Sequence, residues 1–210
     1  IIHVGEPPPL LDDILPLLEK GDVITHVFNG KTGGNIMEDQ RTFALAKEAQ
    51  IRGVVMDVGH GSASFSFKVA KLAVEQGLAP DVISTDLHCH NYHGPVYDLP
   101  TTMSKLLTLG MSLKEVIECV TTSPRLVLSE PTNENQLVPG QLADFTAFTV
   151  ESVKFKAFDS MGTELLMQQF ILPQFAVLGT KWEHCQSRGW EHMASDNQPL
   201  FAPESSPDMM

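Results

Sequence analysis

The sequence predicts an α/β chain, with a parallel sheet built from repeated strand-helix units and a small antiparallel layer after it. Three observations lead there. Apolar runs recur, each ending in a polar or ionisable residue and followed by a turn and a stretch of helical spacing. The runs are nearly continuous in apolar character, as strands covered on both faces are. After Pro124 the pattern changes to an alternation of period two, the mark of half-buried antiparallel strands.

The first run, residues 1–6, carries His3, Gly5 and Glu6 at its end and meets Pro7, Pro8 and Pro9, which neither extend a sheet nor lie inside a helix. A helix is expected over 10–20, with apolar residues at 10, 11, 14, 15, 17 and 18 and a stop at Gly21. The second run, 22–30, has His26 late and Asn29-Gly30 as its turn. A Gly-rich loop and a helix over 41–52, stopped by Gly53, follow. The third run, 53–61, ends in Asp57 and His60 and leads to a helix over 65–76. The fourth, 81–88, leads to helical stretches over 101–109 and 112–120, the second opened by a capping box of Ser112 and Glu115. Beyond a polar linker at 129–136, strands are expected around Phe145 and Ala147, at 154–158 and at 170–181, with Ser160-Met161-Gly162 as a hairpin turn. Residues 183–210 read as a disordered tail in which His184, Cys185 and His192 are solvated.

Composition narrows the function. With 210 residues and 42% hydrophobic content the chain can bury a sizeable core. A net charge of −12, from 14 basic and 26 acidic residues, argues against nucleic acid as a partner. The best apolar run, 170–178, is short and interrupted by Pro173, so no membrane span is expected. Three cysteines without a CxxC pair do not suggest disulfides, and a reducing, cytoplasmic setting is expected. The opening IIHVGE begins inside a strand pattern, from which a piece of a longer chain is expected.

The chemistry concentrates at 83–105, ISTDLHCHNYHGPVYDLPTTMSK, where an apolar run ends in Asp86 and His88, His90 and His93 follow. A carboxylate at the end of a buried strand is costly unless something cationic holds it, and a metal ion is the economical partner. In a barrel of strand-helix units the reactive groups sit at the C-terminal strand ends. His3, His26, His60 and Asp86 all fall there, which packing alone does not readily produce.

The segments IIHVGEPPP, DVITHVFNGKTGG, VVMDVGHGSASFSF, ISTDLH, HGPVYDLPTTMSKLLTLGM and LVPGQLADFTAF, in this order, resemble the amidohydrolase superfamily, most closely its deacetylase-like branch. The resemblance implies half of a (β/α)8 TIM-like barrel, strands five to eight with their helices, over 1–128, and part of a small β-sandwich over 129–182. It implies one or two divalent ions, Zn2+ by preference, with His3, His26 and Asp86 as ligands and Asp86 also as the proton acceptor. His60, Asn29, His88 and Gly94 would face the substrate. The implied activity is hydrolysis of an amide or ester bond in a small acylated substrate, deacetylation above all. A dihydroorotase-like attack on a cyclic amide, or a non-catalytic truncated chain, are the alternatives. The family's first-strand His-x-His and bridging lysine have no counterpart here, since His88-Cys89-His90 follows the wrong strand. Half a barrel has open edges, so pairing with the missing half or with a second copy is expected.

Overall fold

The computed structural model describes residues 1–130 and 138–195. Strands β1 (Ile2–His3), β2 (Val23–Thr25) and β3 (Val55–Asp57) form a parallel sheet in that order. Ile2 stands beside Ile24 and Ile24 beside Met56, so the apolar residues form a row across the sheet. The fourth apolar run joins through a bridge between Asp57 and Val82. From there Val58, His60 and Gly61 donate backbone N–H groups to the carbonyls of Val82, Ser84 and Thr85. The segment after β3 is thereby tied to the run that carries Asp86.

The regular ladders are shorter than the apolar runs, and the backbone conformation at their ends explains it. His26 (φ 67°) and Asp86 (φ 47°) lie in the left-handed region, which a non-glycine residue adopts only when its surroundings impose it. The second and fourth runs therefore break off at a candidate site residue.

Most helices follow the expected spacing, with identifiable ends. Helix α1 (Leu11–Ile14) is the exception, passing into a 3-10 turn over Leu15–Leu17 instead of continuing to residue 20. Pro16 has no N–H to give a regular helix there. Helix α2 (Gln40–Arg52) is capped by the Asp39 side chain and ends at Gly53, whose φ of 97° suits only glycine well. Helix α3 (Phe67–Glu75) starts from Ser66 and α4 (Leu99–Thr108) from Asp98, whose carboxylate accepts from Thr101 N. Helix α5 (Leu113–Val120) has the capping box, and α6 (Thr122–Val127) is an additional short helix.

The antiparallel layer consists of β4 (Asp144–Phe158), β5 (Glu164–Leu178) and β6 (Lys181–His184). What the sequence suggested as separate short strands is one long hairpin. Its turn at Ser160-Met161-Gly162 is held by the Asp159 carboxylate, which accepts from Met161 N and Thr163 N at 2.8 Å each. The expected disordered tail needs correction over its first part, where β6 is followed by α7 (Arg188–Ser195). Ser187 donates to the Asp98 carboxylate at 2.7 Å, Trp190 packs against Phe170 and Met193 is buried. His192 is not simply solvated either, since its ring stacks on Tyr97 at 5.0 Å. Linker residues from 131 to 136 and tail residues from 196 lie outside the described residues.

One apolar core joins the two sheets. Ile24, Phe28, Met56, Phe65 and Leu106 belong to the same cluster as Phe155, Met167, Phe170 and Met193. Each such side chain contributes about 1.5–3 kcal/mol when fully buried, so the layers are not independent. Among the described residues no helix is long and apolar enough to cross a membrane.

Candidate active site

The strand ends converge on two histidines first. His26 is buried, and its Nδ1 lies 2.5 Å from the Gly59 carbonyl. A carbonyl only accepts, so Nδ1 carries the proton and Nε2 keeps a free lone pair, the tautomer of a metal-ligating imidazole with its second nitrogen anchored. His3 is exposed and meets the His26 ring edge-on, with centroids 4.4 Å apart. Gly59 is required for this approach, because a Cβ there would overlap Thr25 Oγ1 and come within 2.5 Å of His26 Nδ1.

Asp86 is exposed, and its carboxylate lies over Gly61, where a Cβ would come within 2.8 Å of Asp86 Oδ2. Asn91, fully buried, organises the loop behind it. Its Nδ2 donates to the Asp86 carbonyl and its Oδ1 accepts from His88 N, both at 2.8 Å. The structure thus brings His3 and His26 into ring contact and sets Asp86 in the segment tied to the loop after β3. It does not gather the three donor atoms within 4.8 Å of one another. Among the described residues that degree of clustering is seen at the exposed His88, Cys89 and His90.

The residues expected to face a substrate divide into two pairs. His88 is exposed, with Nε2 3.1 Å from Ser62 Oγ, and Gly94 lies half-buried in the following loop against Tyr97. Asn29 and His60 instead are wholly buried and fully engaged. Asn29 donates to the carbonyls of His26 and Gly34 at 2.7 Å and accepts from Lys31 N at 2.8 Å, bracing the turn after β2. His60 has Nδ1 3.0 Å from the Gly61 carbonyl and Nε2 2.8 Å from Lys105 Nζ. Neither residue offers a free polar atom to a ligand, a departure from the sequence expectation that follows from burial alone.

Lys105 is the group that sequence reasoning missed. It is fully buried and also donates to the carbonyls of Pro95 (2.6 Å) and Phe158 (2.8 Å). Burial brings its pKa down to about 7, against the opposing pull of Asp159 and Asp98. Burial likewise holds His60 well below the ordinary histidine value, and the charge of Lys105 adds to this. The signal was present: Lys105 is the sole charge between Asp98 and Lys114, inside a helix that is buried from Thr101 to Leu106. Asp57 is a second buried group, accepting from Thr25 Oγ1 and Ser84 Oγ with Oδ2, while its Oδ1 has no hydrogen-bond partner among the described residues.

The donor set fits a borderline divalent ion. His26 has the right tautomer, His3 offers an imidazole beside it, and the Asp86 carboxylate stands in the loop that follows the fourth run.

Comparison with known proteins agrees in kind. Over 181 residues the chain is 49% identical to a protein named deacetylase from Brucella anthropi, covering 86% of this chain and 45% of that one. The chain is thus similar to a bacterial protein of that name over less than half of that protein's length. It is also 48% identical over 181 residues to a deacetylase from Agrobacterium fabrum, covering 86% of this chain and 44% of the relative. Among solved structures, a dihydroorotase shares 46% identity with a TM-score of 0.84, over 88% of this chain and 48% of that one. An adenine deaminase shares 38% with a TM-score of 0.75, over 86% of this chain and 50% of that one. These likenesses support the amidohydrolase superfamily as the wider kinship. No family model matches the sequence. The chain spans about half the length of the curated relatives it matches.

Proposed function

We propose that this chain supplies the C-terminal half of a metal-dependent hydrolase barrel that removes an acyl group, acetyl by preference, from a small substrate. The observation that carries the proposal is the His26 ring, anchored through Nδ1 with Nε2 free, beside His3, with the Asp86 carboxylate in the loop that follows the fourth run. Relatives named deacetylase at nearly half identity support the choice of substrate class. A bound divalent ion, zinc by preference, would polarise the substrate carbonyl and make water acidic enough to attack near neutral pH. His3, His26 and Asp86 would hold that ion, and Asp86 would act on the attacking water as well. Asp86, exposed and positioned by the loop that Asn91 organises, would accept the proton of the attacking water. His88 and Gly94, at the open side of the same loop, would border the substrate.

The similarity to a dihydroorotase structure favours a second reading, hydrolysis of a cyclic amide by the same residues. The substrate separates the two. The barrel completed with the proposed N-terminal half, assayed with zinc on N-acetylated amino acids, O-acetylated hydroxy acids and dihydroorotate, should cleave an acetylated compound and lose the activity to a chelator. Chelator-resistant turnover, or none on any acyl compound, would defeat the proposal. The 210-residue chain by itself should be inactive or nearly so, because an imidazole pair and one carboxylate leave the ligand set open.

A further inference from the structure

We infer that Lys105 is a positioning residue for the strand-end ligands, acting on His26 and Asp86 through His60. The inference rests on reading those two residues as ligands. Its geometry is that of a single nitrogen tying three segments together. Lys105 Nζ reaches His60 Nε2 in the loop after β3, the Pro95 carbonyl in the loop before α4, and the Phe158 carbonyl at the end of β4. The hydrogens are assigned by elimination. The two carbonyls only accept, so the lysine gives two N–H groups to them. The Gly61 carbonyl also only accepts, so His60 Nδ1 carries the imidazole proton, and Nε2 accepts the third N–H of the ammonium.

His60 lies between the two glycines that touch the candidate ligands. On one side the Gly59 carbonyl holds the Nδ1–H of His26. On the other, the Asp86 carboxylate lies over Gly61, whose N–H is bonded to Thr85. Ser160 closes the arrangement by reaching the carbonyls of His60 and Gly61 at 3.1 and 2.8 Å. A shift of the His60 ring therefore moves the backbone that orients both ligands. Filling the space would need only an apolar side chain; donation to three separate segments fixes where the Gly-His-Gly stretch sits. Partners that orient ligands from behind typically change metal affinity 10–100-fold when removed.

The test uses the 15N-labelled 210-residue chain at pH 6.5, as wild type, Lys105→Met and Lys105→Gln. In the wild type, two-bond imidazole spectra should show His60 with Nδ1 protonated and Nε2 accepting, and a slowly exchanging His26 Nδ1–H. In Lys105→Met the His26 Nδ1–H should exchange at least about 10-fold faster, and the zinc dissociation constant should rise about 10–100-fold. The exposed His184 should be unchanged. A folded variant with wild-type exchange at His26 and wild-type zinc affinity would overturn the inference, leaving Lys105 a mere structural tie. Should neither variant fold, the wild-type spectrum decides, since a protonated Nε2 on His60 removes the mechanism and an accepting Nε2 upholds it. Failure of the metal reading looks different: wild-type His3 and His26 resonances would ignore zinc, while the exchange rates in metal-free protein would still report on Lys105.

Discussion

His26 and His60 occupy equivalent places in the sequence, each just past a parallel strand, yet the structure gives them opposite circumstances. His26 has one nitrogen anchored on a backbone carbonyl and the other without a hydrogen-bond partner among the described residues. His60 has both nitrogens engaged, one on Gly61 and one on Lys105. Both are buried, so burial does not distinguish a candidate ligand from a brace. The partner of the second nitrogen does, because a ring whose lone pair is already accepting a hydrogen bond cannot give it to a metal.

The largest effect expected from this contrast lies at the ligand side. In a barrel completed as proposed, Asp86→Asn keeps the shape of the side chain and removes the base, which should lower turnover about 100-fold to 10,000-fold. The melting temperature should hardly change, since Asp86 is exposed. Turnover and melting measured on one preparation check this, and normal turnover would shift the chemistry away from Asp86.

The brace side should show the reverse, a loss of stability. Lys105→Met strips the donor from Pro95 O, Phe158 O and His60 Nε2, leaving buried acceptors at a cost of about 1–3 kcal/mol each. Partial relaxation should bring the total to roughly 3–5 kcal/mol in urea denaturation. Adding His60→Phe removes one stranded acceptor and should recover part of the loss. No recovery would mean that the lysine's bond to His60 carries little weight beside its two carbonyl bonds.

The same lysine should give stability a pH dependence. Its pKa falls from 10.5 to about 7 on folding. Between those values the unfolded chain binds a proton that the folded chain resists, so stability is lost as pH falls from 10.5 towards 7 and is flat below. The difference between wild type and Lys105→Met should therefore rise with pH by up to ~1.4 kcal/mol per unit across that window. Asp159, Asp98 and His60 face the lysine, and the depressed pKa of His60 keeps that ring neutral near pH 7. A flat difference across the window would show that Lys105 keeps its charge.

How much of this was legible follows from what sequence patterns encode. The strand-helix order, the caps at Ser112 and Gly53, and the position of His3 at the end of β1 and of His26 just past β2 are local features, and the structure has them where the spacing indicated, whereas the run before Asp86 forms a single bridge and not a strand. Pro16 interrupting α1 was equally local and could have been read. The engagement of His60 was not legible, because its partners Lys105 and Ser160 are 45 and 100 residues away. Nor was α7, whose residues are polar on average but find Asp98 and Phe170 only once the sheets have packed.

The smallest expected effect concerns His88, the exposed counterpart to His60. Its Nε2 meets Ser62 Oγ at 3.1 Å and its Nδ1 accepts from His90 N at 3.2 Å, both at the surface, where water replaces either bond readily. His88→Asn should therefore change stability by no more than about 0.5 kcal/mol. If the residue borders the substrate, the same variant in a barrel completed as proposed should raise KM with little change in kcat, the signature of lost uniform binding. A His60→Asn variant examined alongside should do the opposite, losing stability first, because it replaces a buried ring and unseats Lys105. Should His88→Asn cost as much stability as His60→Asn, exposure would not be what separates the two histidines, and the division between braces and substrate-facing groups would have to be redrawn.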